Sequence, residues 1–294
     1  MKPLIFTHHA SPNLVKKITQ QVNGELAQSE NHEFPDGESY VRIHNDCSSR
    51  NAIIIANLHQ PNPKILPLIF LCETLKALGI ESITLISPYL PYMRQDIQFK
   101  PGEGITSRFF AELLSTYIDK LITIDPHLHR YNSLDEIYSI PSTVIQAIPK
   151  IVSWIKTHIE QPLIVGPDSE SEQWAALAAD MIQCPYIILE KKRLGDKNVQ
   201  VSSPQAGQYK NRTPVLIDDI ISTGRTMIKT AEALVKEGLS APICIGVHAI
   251  FSDDAYEAMK QSAIQNIITC NTVPHQTNQI DLSELLAAEI SALN

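Results

Sequence analysis

Three short apolar runs, at residues 121–124, 163–165 and 215–217, each lead within a few residues into an aspartate, Asp125, Asp168 and Asp218, ahead of a loop or a helix-period segment. Runs this short, dense in isoleucine, valine and leucine and without polar alternation, read as strands covered on both faces. Strands of that kind belong to parallel sheets, which need crossover helices. The segments between them supply these, with helical periodicity at 64–78, 107–117, 174–181 and 226–236. In open α/β sheets ligands bind beyond the carboxyl ends of the strands, so aspartates at those ends face crevices. The pattern predicts an α/β chain whose chemistry sits on strand ends.

At 294 residues the chain has room for two domains of about 145 residues each, and 44% apolar residues are ample for two cores. Two prolines and a new strand–helix cycle near 139–149 put the expected boundary there, giving domains at 1–145 and 146–294. The second half repeats the first in outline, with no repeat at the level of residues. A net charge of −8 argues against nucleic-acid or membrane-surface binding. Five cysteines, an odd number without a C-x-x-C pair, read as buried thiols of a reducing compartment. No apolar run approaches a membrane span and the first ten residues do not read as a signal peptide, so a cytoplasmic location is expected.

The most informative stretch is Pro214-Val215-Leu216-Ile217-Asp218-Asp219-Ile220-Ile221-Ser222-Thr223-Gly224-Arg225-Thr226-Met227. Strand gives way to paired carboxylates, then to hydroxyls and a glycine at a helix start. Ser222, Thr223, Gly224 and Thr226 offer hydroxyls and backbone N–H groups to an anion, with the helix dipole adding attraction. Two carboxylates hold a diol, and the loop holds a phosphate, so a sugar phosphate satisfies both. The bland alternative is a capped surface helix.

Other stretches carry two readings each. Phe34-Pro35-Asp36-Gly37-Glu38 is strong turn chemistry and reads first as a hairpin tip. An aromatic with two acids also suits stacking on a base and accepting from its exocyclic amine. Pro88-Tyr89-Leu90-Pro91-Tyr92-Met93-Arg94-Gln95-Asp96 follows a strand at 83–87 and presents a guanidinium, an amide and a carboxylate from a loop. Asp125-Pro126-His127-Leu128-His129 has metal-ligand spacing but no third ligand nearby in sequence, so binding through a nucleotide-held ion, or no metal role, is preferred to a zinc site. Glu190-Lys191-Lys192-Arg193-Leu194-Gly195-Asp196-Lys197 is either a solvated charge run or a mobile basic loop that meets developing charge. His8 and His9, after the first strand, read as solvated loop histidines ahead of crevice-facing ones.

Residues 215–226 resemble the ribose-phosphate motif shared by type I phosphoribosyltransferases and phosphoribosyl pyrophosphate (PRPP) synthetases. The turn at 34–38, the 88–96 loop, Asp125-Pro126-His127, Gly166-Pro167-Asp168 and Lys191-Lys192-Arg193 occur in the order and spacing of the synthetases, most like their archaeal-type branch. The resemblance implies two tandem phosphoribosyltransferase-like domains, each a mainly parallel sheet flanked by helices. It implies conversion of ATP and ribose 5-phosphate to PRPP and AMP for nucleotide biosynthesis. By the same resemblance, Phe34, Asp36, Gly37, Glu38, Arg94, Gln95 and His127 bind ATP, the 34–38 turn reaching it from a neighbouring subunit, so the protein is expected to be at least a dimer with a shared nucleotide site. Asp218, Asp219, Ser222, Thr223, Gly224, Arg225 and Thr226 bind ribose 5-phosphate. His127 and Asp168 attend Mg2+, and Lys191 and Arg193 are catalytic. Two positions depart from the usual family pattern: Arg225 stands where glycine is common, and Ser169-Glu170-Ser171 follows Asp168 in place of glycine. A non-catalytic homologue and a type I phosphoribosyltransferase stay open as alternatives.

Overall fold

A computed structural model of the chain describes residues 2–168, 171–193, 199–202 and 206–292. The chain forms two compact units, one of Met1–Ile145 with Ser283–Asn294 and one of Gln146–Leu282.

The first unit runs β1 (Leu4–His8), α1 (Pro12–Gln21), β2 (Glu25–Leu26), β3 (Ser29–Glu33), β4 (Ser39–Ile43), β5 (Asn51–Ala56), α2 (Asn62–Ala77), β6 (Ser82–Ser87), α3 (Thr106–Tyr117), β7 (Lys120–Ile124) and β8 (Ser142–Ile145). Its six-stranded sheet has the order β2-β1-β5-β6-β7-β8, and every pairing is parallel. The central strands are mostly apolar, Ile53, Ile54 and Ile55 in β5 and Ile83, Leu85 and Ile86 in β6 being buried, as a sheet covered on both faces requires. β3 and β4 form a separate antiparallel hairpin.

The second unit runs α4 (Ile148–His158), β9 (Pro162–Gly166), α5 (Glu172–Ile182), β10 (Tyr186–Ile188), β11 (Glu190–Arg193), β12 (Val199–Ser202), β13 (Thr213–Ile221), α6 (Arg225–Lys236), β14 (Ile243–Ala249), α7 (Ala255–Lys260), β15 (Asn266–Cys270) and β16 (Asn278–Ile280). Its parallel sheet has the order β10-β9-β13-β14-β15-β16. Counting only sheet strands, both units read 2-1-3-4-5-6, and both insert an antiparallel hairpin between the second strand and the third. The outline repeat seen in the sequence is therefore a repeat of topology.

The last helix, α8 (Ser283–Ala292), corrects the expected division at one end of the chain. Its buried stripe of Leu286, Ala287 and Ile290 needs an apolar cover, and α8 packs on α1 in the first unit. Residues 283–294 thus belong with the first unit rather than with residues 146–282. Among the described residues no disulfide forms, and no helix is long and apolar enough to cross a membrane.

Candidate functional site

In the second unit the strand does not stop before the paired acids. β13 continues through Asp218 and Asp219 to Ile221, with Asp218 opposite Gly246 and Ile221 opposite Ala249 on β14. Two apolar residues beyond the acids, Ile220 and Ile221, keep the ladder going, so the carboxylates are mounted on strand backbone rather than on a loop. The Asp219 N–H donates to Asp218 Oδ1 at 3.1 Å. Burial first, then the neighbouring charges of Asp219 and Asp168, hold the Asp218 carboxyl well above the usual carboxylate range. Three acids therefore share one end of the sheet, Asp168 lying just past β9, the neighbour of β13. The Asp168 backbone is fixed by Ser171, whose Oγ donates to the Asp168 carbonyl at 2.6 Å and accepts its N–H at 3.3 Å.

Beyond Ile221 the chain turns sharply into α6. Gly224 has φ +66°, and a Cβ there would stand 2.6 Å from Met259 Sδ, so both conformation and space demand glycine. The first turn of α6 begins at once with exposed Arg225, followed by Thr226. Its leading N–H groups have no intrahelical acceptors. Ser222 is held from the next strand end, its Oγ 3.1 Å from Ser252 Oγ, while the N–H groups of Phe251 and Ser252 donate to Ile221 and Ser222 carbonyls at 2.9 and 3.1 Å. Ser252 was not legible as part of this loop, because only the β13–β14 pairing brings it there. The arrangement offers acidic acceptors for hydroxyls beside donors for an oxyanion.

The raised Asp218 carboxyl gives a stability prediction. An acid whose folded pKa lies above its unfolded value of about 3.9 costs stability as pH climbs from that value, because the native state must give up a proton it holds more tightly. In chelator, Asp218→Asn should raise Tm at neutral pH by roughly 2–4 °C, a gain on the order of 1 kcal/mol, and the difference should vanish below about pH 3.5. Melting curves of both proteins across pH test it; an equal offset at all pH values would remove the electrostatic account.

In the first unit the loops after β6 and β7 carry the remaining residues. Exposed Arg94 and partly buried Gln95 follow β6, and the Gln95 Oε1 accepts from Thr106 Oγ1 at 3.3 Å at the start of α3. Asp96 turns inward instead of standing in the crevice. Only 3% exposed, it takes Arg130 Nη1 at 2.8 and 3.0 Å, and its carbonyl accepts from Tyr131 Oη, so it clamps the loop after β6 to the loop after β7. Asp125 and His127 both have positive φ, 39° and 54°, and the His127 N–H donates to the Asp125 carbonyl at 2.9 Å. Such backbone in non-glycine residues persists where the surroundings over-determine it, commonly at functional sites. His127 Nδ1 and His129 Nε2 lie 3.1 Å apart, two imidazole nitrogens at one place.

The turn at 34–38 closes the β3–β4 hairpin. Gly37 at φ +88° donates to the Phe34 carbonyl, Phe34 N–H donates to the Glu38 carbonyl, both at 2.8 Å, and Asp36 Oδ1 accepts the Glu38 N–H. Phe34 is 45% exposed, with the rings of His32 and Tyr40 beside it. The basic stretch is a strand, not a loop: Lys191 and Arg193 lie on β11, opposite Val201 and Val199 of β12. Their side chains, and residues 169–170 and 194–198, lie outside what the structure describes.

Comparison with known proteins places this architecture. Residues 3–117 match the model for the N-terminal domain of ribose phosphate pyrophosphokinase, and residues 133–285 match the phosphoribosyl transferase domain. The ribose-phosphate pyrophosphokinase of Sulfolobus acidocaldarius is 31% identical over 94% of this chain and 96% of its own length. The chain belongs to the ribose-phosphate pyrophosphokinase family. The pyrophosphokinase of Sulfurisphaera tokodaii is 29% identical over 96% of this chain and 98% of its own. A crystal structure of phosphoribosylpyrophosphate synthetase from Mycobacterium smegmatis, 24% identical, superposes with a TM-score of 0.88 over 100% of this chain and 99% of its own, which establishes the shared pyrophosphokinase fold in both units.

Proposed function

We propose that the chain is a ribose-phosphate diphosphokinase, a transferase that moves the diphosphoryl group of ATP to the 1-hydroxyl of ribose 5-phosphate and releases AMP. One observation carries the reading: in a chain that matches the pyrophosphokinases from end to end, Asp218 and Asp219 stand beside a glycine-turned helix start, and the pair fits the diol and the phosphate of one pentose phosphate.

In this reading Asp218 and Asp219 accept from the ribose hydroxyls, while Ser222, Thr223, Gly224 and Thr226 give donors to the 5-phosphate. Arg225 is exposed on the first turn of α6, where its guanidinium adds charge to the same phosphate rather than filling the loop. With the sugar fixed at both ends, its 1-hydroxyl oxygen attacks the β-phosphorus in line. The O1–Pβ bond forms, the bond from Pβ to the α-phosphate oxygen breaks, AMP leaves, and the O1 proton is released to solvent. A loose transition state asks little of a general base, so positioning and electrostatics carry the step. Arg94 and Gln95 hold the nucleotide, and Phe34, Asp36, Gly37 and Glu38 receive the adenine.

A divalent cation fits the donor set. Asp218 is driven toward its neutral form by burial first and then by the charges of Asp219 and Asp168, and a hard cation on oxygen ligands offsets both. Asp168, through water, and His127 would hold Mg2+, which supplies neutralisation of triphosphate charge when bound. The expected result is that AMP and PRPP appear in equal amounts from ATP and ribose 5-phosphate, and only when Mg2+ or Mn2+ is present. ADP as the first nucleotide product would overturn the reaction. Consumption of PRPP with a base, and indifference to ATP, would mark a phosphoribosyltransferase.

A further inference from the structure

Both units have the strand order 2-1-3-4-5-6, so both have a switch point where the first and third sheet strands send their connections apart. In the second unit that place, between β9 and β13, holds Asp168, Asp218 and the helix-start loop. In the first unit the matching place lies between β1 and β5, and its charged residue, Lys64, has the opposite sign. His8 ends β1, His9 follows it with φ 54°, His59 lies in the connection after β5, and Lys64 is in the first turn of α2.

These side chains are organised. His8, 5% exposed and pushed down to about 4 mainly by burial, is neutral and hydrogen-bonds the Lys64 carbonyl through Nε2 at 2.9 Å, which pins the start of α2. It corrects the expectation of two solvated histidines; His9 alone is exposed, its ring edge-on to His8 at 4.6 Å. Lys64 Nζ donates to the Asn57 carbonyl at 3.0 Å and to the His59 carbonyl, curling residues 57–64 around the ammonium. Two carbonyls take two of its three N–H groups. No ion pair among the described residues involves Lys64, His8, His9 or His59. Glu33 acts on His9 alone, whereas Lys64 repels charge on all three imidazoles. The 16-residue α2 adds the positive end of its dipole at the same point. A cation curled into a loop, with two imidazoles nearby and no carboxylate paired to it, is short of an anion.

We propose that the switch-point crevice of the first unit, formed by His9, His59, Lys64 and the start of α2, is an anion site that takes a phosphate group, separate from the ribose-phosphate loop of the second unit. Lys64 supplies fixed charge, His9 and His59 supply ring N–H donors, and His8 acts only as a positioning residue.

Equilibrium dialysis of the full chain with radiolabelled orthophosphate tests this, with ribose 5-phosphate and a non-hydrolysable ATP analogue at saturation to fill the other phosphate places. The expected result is one further phosphate per chain. Lys64→Met and His59→Gln should each weaken it by about tenfold or more, while Lys64→Arg stays within a few-fold. Displacement by pyrophosphate but not AMP identifies a free anion as the ligand, and displacement by AMP identifies a phosphate ester. Should Lys64→Met fail to fold, His59→Gln and the exposed His9→Ala carry the test. If ribose 5-phosphate does not bind the second unit, orthophosphate occupies both places and Lys64→Met still removes one. No phosphate beyond that displaced by the two substrates, or equal binding in wild type, His59→Gln and Lys64→Met, overturns the site.

Discussion

Alanine at Lys191 or at Arg193 is expected to lower kcat by roughly 10³-fold or more with little change in KM. Transfer of the diphosphoryl group builds negative charge on the β-oxygens and on the departing α-phosphate oxygen. A cation that meets that charge only as it develops stabilises the transition state and leaves ground-state binding nearly untouched. β11 is the right kind of mount, since a strand paired residue for residue with β12 fixes the backbone that carries both residues. Single-turnover measurements at saturating ATP and ribose 5-phosphate isolate the chemical step. Near-normal kcat in both variants would return the stretch to an ordinary solvated face.

The second large effect concerns assembly. Among the described residues, the 34–38 turn is held by its own hairpin hydrogen bonds and two neighbouring rings, which leaves its phenylalanine half in solvent beside two acids. If the tip reaches a two-fold partner, as the proposed shared nucleotide site requires, each subunit completes the other's pocket. Asp36→Ala and Lys191→Ala, each inactive alone, are expected to recover about one quarter of wild-type activity when co-assembled from denaturant in equal amounts, because random mixing leaves about that share of sites with an intact turn and an intact body. Mixed assemblies that form but stay inactive would place the turn within its own chain.

Much of the fold was legible because parallel strands buried on both faces announce themselves as short apolar runs, and the helices between them keep a 3.6-residue period. The elements that escaped notice were those with weak signals. β2 has two residues and β16 three, too few for any period. β13 looked finished at Ile217 because two charges follow, yet Ile220 and Ile221 continue the ladder, and local polarity does not outweigh six paired positions with β14. Asp96 illustrates a limit of another kind. Its place in Arg94-Gln95-Asp96 suggested three groups offered together, but only tertiary structure brings Arg130 to it. The helix-start loop was readable down to Gly224, because positive φ and a crowded Cβ position leave a signature in residue type. Ser252 and Lys64 left none: Ser252 meets Ser222 from thirty residues away, and Lys64 matters through the folding of its own loop back onto the ammonium, which residue type alone does not announce.

The packing of α8 on α1 bears on how the protein is made. A ribosome delivers β1 through β8 first, but the helix that packs on α1 follows only after residues 146–282, so the second unit is complete before then. The earlier half therefore matures later. During that interval the side of α1 that α8 covers is left open to solvent, so the first unit stays incomplete longer than the second.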